Sequence, residues 1–187
     1  NIENHPKFKN AKVLGSLIKC NRNEYDEIKT DNESLFGQQQ EQMKKQADYL
    51  SRSFDIVVTN PPYLNSSYMD IELKKYINKE FSSAKSDLFA AFILQNKRLA
   101  KEDGFIGYIC PYVWMFISSY EDLRKELLDN STISSLIQLE YNAFEPACVP
   151  VATFILRNSY IEDFLGSYIK LTDFRGHENQ APKALEA

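Results

Sequence analysis

A chain of 187 residues that is 43% hydrophobic can bury one core, and its length favours a single domain. A formal charge of -4 excludes holding nucleic acid by net charge alone, because neutralising phosphates takes clustered Lys and Arg. No stretch approaches the ~20 apolar residues of a membrane span, and Asn1-Ile2-Glu3-Asn4 is not a signal peptide, so a cytoplasmic protein without a membrane partner is expected.

Residues 1–53 read as a polar N-terminal approach. The chain begins without Met and its first residues look like mid-protein sequence, which points to a piece of something larger. The apolar island of Val13-Leu14 and Ser16-Leu17-Ile18 predicts a short strand. Over 33–52, Leu35, Phe36, Met43, Ala47 and Leu50 recur at loose helical spacing among charges and predict a surface helix.

The core is expected over 54–172. Phe54-Asp55-Ile56-Val57-Val58-Thr59 is a run of strand length that predicts a strand buried on both faces of a parallel sheet, stopped by Pro61 and Pro62. A short helix follows over 70–78. A longer one over 86–101 carries Leu88, Phe89, Phe92, Ile93 and Leu99 on one stripe, opened by Ser86-Asp87 and closed by Asp103-Gly104. A strand over 105–110, a helix over 120–128, and strands over 133–139 and 151–156 complete the pattern, and residues 173–187 read as a frayed polar tail. Alternation of this kind predicts an α/β sheet with helices on both faces.

Cys20, Cys110 and Cys148 are odd in number and far apart, with only His5 and His177 to assist them, so neither a metal site nor a disulfide framework is expected. Buried or idle thiols in a reducing compartment fit better.

The residues that suggest chemistry are Asn60-Pro61-Pro62-Tyr63. In open α/β sheets ligands bind beyond the carboxyl ends of the strands, where Asn60 falls. Methylating an exocyclic amine such as adenine's requires holding the amino group by its hydrogens, since its lone pair is delocalised into the ring. The Asn60 side-chain carbonyl and the Pro61 backbone carbonyl are two such acceptors, kept in place by the prolines, and Tyr63 offers a flat face to a planar substrate. Stacking a base on such a ring is worth about 1–3 kcal/mol, and a base in a duplex must first be flipped out to reach it. Two other readings suit these residue types: an ordinary turn after a strand, and a proline-rich ligand for a recognition domain, which the buried character of the preceding strand disfavours.

Asn60-Pro61-Pro62-Tyr63-Leu64, Tyr68-Met69, Ser86-Asp87-Leu88-Phe89-Ala90-Ala91-Phe92, Trp114-Met115-Phe116 and Ser119-Tyr120-Glu121-Asp122-Leu123-Arg124 together resemble successive blocks of the large DNA N6-adenine methyltransferases of phage-defence (BREX-type, PglX-like) and type II restriction-modification systems, over residues 11–158. The resemblance implies a partial Rossmann-like sheet that uses S-adenosylmethionine, with Asn60 and Pro61 on the target amine and Tyr63 stacked on the base. It makes Phe144 a second aromatic against the flipped base, although an ordinary core Phe suits that position equally. Asp87, Leu88 and Phe89 would approach the cofactor, with Asp87 as helix cap the alternative; Tyr112 and Trp114 line the mouth or join the core. The implied partners are DNA, through a recognition domain outside this chain, and other defence-system subunits. The pattern departs from the family at the cofactor site: Gly15 and Gly37 are isolated, and no Gly-containing turn with a following acidic residue is found. The chain thus reads as the acceptor half of a catalytic domain, weak or inactive alone. A glutamine-amide methyltransferase, a cytosine-N4 enzyme and a non-catalytic scaffold or nucleic-acid-binding module are the competing readings.

Overall fold

The computed structural model describes residues 8–28, 37–141, 143–144 and 149–187. Cys148, His5 and residues 33–36 of the expected surface helix lie outside them. Helix α1 (Ala11–Leu14) runs into a 3-10 turn at Gly15–Leu17, so the strand expected here is helical. Leu14, Leu17 and Ile18 stand at i, i+3 and i+4 and are all buried, which is helical periodicity compressed into one turn. Gly15, at φ +51°, ends α1 in a conformation that a side chain disfavours.

Helix α2 (Arg22–Glu27) opens with a capping box between Asn21 and Glu24, and α3 (Gly37–Ser51) buries Ala47 and Leu50. Then come β1 (Phe54–Thr59), α4 (Ile71–Glu80), α5 (Leu88–Leu99), β2 (Ala100–Pro111), α6 (Glu121–Asn130), β3 (Thr132–Gln138), β4 (Val151–Arg157), β5 (Ser167–Lys170) and α7 (His177–Glu186). The N-terminal helices are tied on by polar contacts. Gln95 Nε2 donates to the carbonyls of Ser16 (2.7 Å) and Ile18 (3.2 Å), Arg98 to those of Cys20 (3.1 Å) and Leu50 (2.9 Å), and the Tyr76 hydroxyl accepts from the Lys19 amide at 2.9 Å.

The sheet order is β1-β2-β4-β3-β5. Strand β1 is parallel to β2 and β3 to β5, whereas β4 runs antiparallel between β2 and β3. This order decides where helices can stand. The crossovers from β1 to β2 and from β2 to β3 step the same way across the sheet, and right-handed connections in one direction place their helices on one face. That face carries Ile106, Tyr108, Cys110, Phe154 and Leu156, all buried in one cluster with Phe89, Ile93, Leu123 and Leu127. The opposite face, where the alternation also predicts helices, is open at Ile56 (66% exposed), Val58 (75%), Phe105 (43%) and Ile155 (41%). The α/β class therefore holds with helices on one side of these strands, and β1 is an edge strand rather than one buried on both faces.

Pairing between β1 and β2 jumps from Phe54–Ala100 to Ile56–Phe105, so residues 101–104 bulge out. Asp103 takes φ +62°, and a Cβ on Gly104 would meet the carbonyl oxygens of Asp55 and Lys101 at 3.0 Å each. Asn158 closes this corner. Its amide nitrogen donates to the carbonyls of Lys97 (2.9 Å), Ala100 (3.1 Å) and Lys101 (3.2 Å), while its oxygen accepts from Lys97 Nζ at 3.1 Å. Asn158→Ala strips the donor from the end of α5 and is expected to cost about 1–3 kcal/mol, read as a lower urea midpoint with unchanged slope.

The segment that reads as a frayed tail folds. Gln180 is buried in α7, its side-chain oxygen accepting from the Glu140 amide at 3.0 Å and its nitrogen donating to the Phe174 carbonyl. Cys20 and Cys110 are both buried. Among the described residues no helix is long and apolar enough to cross a membrane.

Candidate active site

Strands β1 and β2 end, and β4 begins, at one edge of the sheet: Pro111 pairs with Val151, and the Tyr112 amide donates to the Pro150 carbonyl at 3.0 Å. A cleft of about 640 Å³ opens there, lined by Asn60, Pro61, Pro62, Tyr63, Ile109, Phe144, Val149 and Val151. The four motif residues and Phe144, some eighty positions apart in sequence, thus share one wall system. Phe144 is 47% exposed, which sets aside the core alternative for it. Ile109, Val149 and Val151 go unnoticed in the sequence. Strand alternation is the signal that finds Ile109, which points away from the core side shared by Tyr108 and Cys110.

Pro61 is buried at the base, while Asn60, Pro62 and Tyr63 are exposed. The Tyr63 hydroxyl donates to Asn60 Oδ1 at 3.2 Å. Burial, with the neighbouring Cys110 second, raises the Tyr63 phenol above its ordinary value, so it is a protonated donor at neutral pH. Its ring stands edge-on to Phe89, centroids 6.3 Å apart, and Phe89 in turn packs on Tyr120 at 5.7 Å. Trp114 is buried against Phe154, joining the core, while Tyr112 is half-buried with its ring edge-on to Phe116.

The residues that the resemblance puts near a cofactor lie deeper. Asp87 Oδ1 accepts from the backbone amides of Leu64 (3.0 Å) and Phe89 (3.3 Å), and Leu88 and Phe89 are buried. Burial raises the Asp87 carboxyl above the usual carboxylate range, against the lowering effect of the amides of Leu64, Phe89 and Leu88. Neither β1 nor β2, whose carboxyl ends open on the cleft, is followed by a glycine turn that would let a nucleoside approach the backbone.

The sequence model of one family, described as Eco57I restriction-modification methylase, matches residues 6–144, most of the chain. The chain belongs to that family. Its relatives within and around the family include the adenine-specific methyltransferase BrxX of Escherichia coli O9:H4 (strain HS), 34% identical over 89% of this chain and 15% of that protein. The adenine-specific methyltransferase PglX of Lacticaseibacillus casei (strain Zhang) is 32% identical over 97% of this chain and 17% of that one. The chain thus spans about a sixth of the length of these relatives. Among solved structures, a class I S-adenosylmethionine-dependent methyltransferase from Listeria monocytogenes superposes with a TM-score of 0.52 at 21% identity, over 73% of this chain and 42% of that one. The Type ISP restriction-modification enzyme LlaGI, in complex with a DNA substrate mimic, gives 0.59 at 15% identity, over 87% of this chain and 16% of that one. At these identities the superpositions establish a shared methyltransferase fold.

Proposed function

We propose that the chain forms the acceptor half of the catalytic site of a DNA adenine-N6 methyltransferase of a restriction-modification or phage-defence system, acting in the cytoplasm. The observation that carries this reading is the single cleft in which Asn60, Pro61, Tyr63 and Phe144 meet at the strand mouth. An adenine flipped out of the duplex enters between aromatic faces, and its two amino hydrogens are received by the Asn60 side-chain carbonyl and the Pro61 carbonyl. Acceptors placed this way orient the nitrogen and stabilise the positive charge that grows on it. S-adenosylmethionine, the donor that membership of a methylase family implies, supplies the methyl group. DNA is reached through parts of the protein beyond this chain, in keeping with the acidic balance of the chain itself.

A glutamine amide in a protein is also planar and also offers two N–H groups. Two exposed rings in the cleft, Tyr63 at 39% and Phe144 at 47%, favour a base, which has a face to stack on each. The test is to express the intact protein that carries this chain in a host free of adenine methylation and to measure N6-methyladenine in genomic DNA by mass spectrometry, with glutamine-peptide methylation assayed in parallel. N6-methyladenine in the DNA supports the reading. Methyl-glutamine alone, or neither product from a protein that binds S-adenosylmethionine, overturns it.

A further inference from the structure

The acceptor loop leaves the sheet at Thr59, which pairs with Tyr108, and is pinned again at Leu64. The second pin is formed by the residues just before α5. Asp87 Oδ1 accepts the Leu64 amide, the first after Tyr63, at 3.0 Å; the Leu88 amide donates to the Leu64 carbonyl at 2.9 Å; and the Ser66 amide donates to the Ser86 carbonyl at 3.1 Å. Asn65 and Asp87 thus form an isolated antiparallel bridge. The same Asp87 oxygen caps α5 through the Phe89 amide at 3.3 Å, and Phe89 is the ring on which Tyr63 rests its edge. One carboxylate oxygen therefore holds both the backbone at the exit of the loop and the residue that seats its aromatic side chain.

We infer that Asp87 is a positioning residue: it fixes where the Asn60–Tyr63 loop presents its acceptors, and does so through its side-chain oxygen rather than through its charge or a contact with cofactor. The inference rests on the reading of that loop as the amine-binding element. Four residues between two restrained ends, two of them prolines, leave little slack. Loss of the side-chain pin leaves the exit held only by the bonds of the Leu88 and Ser66 amides, beyond the Leu64 amide, and lets Asn60 and the Pro61 carbonyl drift; a displacement near 1 Å in such a site costs about 100-fold in rate.

Three substitutions separate the possible roles. Asp87→Asn keeps an oxygen in the same place, able to accept from both amides. Asp87→Ser keeps a good helix cap, yet its hydroxyl is an atom shorter and is expected not to span to Leu64. Asp87→Ala keeps neither. In the intact protein, kcat for DNA methylation is expected to stay within about threefold of wild type for Asn and to fall about 10- to 100-fold for Ser and Ala. The Kd for S-adenosylmethionine should be unchanged in all three, and only Ala should lower the melting temperature. In the 187-residue chain, backbone amide exchange at Leu64 should accelerate about tenfold in Ser and Ala and stay slow in Asn, a readout that needs no activity. An Asn variant as impaired as Ala, or a raised cofactor Kd, shows that the charge contacts a ligand and overturns the assignment. So does a Ser variant with wild-type kcat, which leaves only a cap. If Leu64 exchange follows the expected order while Asn60→Ala leaves methylation intact, the clamp is real and the reading of the loop has failed instead.

Discussion

Replacing Asn60 by Ala is expected to reduce DNA methylation by the intact protein about 100- to 1,000-fold, the usual cost of removing one preorganised hydrogen-bonding group from a charge-stabilising site. The change leaves the Pro61 carbonyl as the lone acceptor for an amino group that must be held by both hydrogens. Asn60 is exposed at the end of β1 and, among the described residues, makes one side-chain bond, to the Tyr63 hydroxyl at 3.2 Å. Its loss should therefore shift stability by no more than about 0.5 kcal/mol, and Tyr63, itself exposed, can turn its hydroxyl to water. The measurement is N6-methyladenine formed per enzyme per minute, alongside the melting temperature and the Kd for S-adenosylmethionine. Activity retained within threefold, with the fold intact, would remove Asn60 from the chemistry.

The second large effect is on stability. Phe89→Ala should cost about 3–5 kcal/mol, because the ring is 1% exposed and packs between Tyr63 and Tyr120. The backbone carbonyl of Phe89 keeps its bond from the Tyr108 hydroxyl at 3.3 Å in the variant, so the loss measures the ring itself. Urea unfolding followed by circular dichroism gives the number. A loss under about 1 kcal/mol would mean that the ring sits at the surface. Any catalytic defect that accompanies the destabilisation should resemble that of Tyr63→Ala, since Phe89 acts on the cleft through the Tyr63 edge.

The parts of this fold that are legible in sequence are those in which one segment states its own period. The stripe of Leu88, Phe89 and Ile93 marks α5, β1 and β2 appear as apolar runs closed by Pro, and β3 and β4 as apolar runs of strand length. What stays hidden depends on partners far away in the chain. The island at 13–18 is too short for its period to be read, and its helical turn is fixed by Gln95, seventy-seven residues from Ile18. The polar α7 gains its place from one buried residue, Gln180, bound to Glu140. An apolar strand also says nothing about how many of its faces are covered; in β1 one face is open at Ile56 and Val58. At the site, Asn60 to Tyr63 can be read directly because the motif is contiguous, whereas Ile109, Val149 and Val151 enter the cleft only once β2 and β4 are paired. Asp87 attracts notice in the sequence for its position before a helix, and its bond to Leu64 depends on the chain between them doubling back.

The hydrogen bond from the Tyr63 hydroxyl fixes which way the Asn60 amide faces. With its oxygen held on the Tyr63 side, the second lone pair of that oxygen stays available to a guest. On the proposed reading, a guest that donates two hydrogens from one nitrogen finds acceptors at Asn60 and Pro61, whereas a carbonyl in the same place, as in thymine, sets oxygen against oxygen. Rejection of such a guest then requires no wall to exclude it: the acceptors that suit an amine repel a carbonyl.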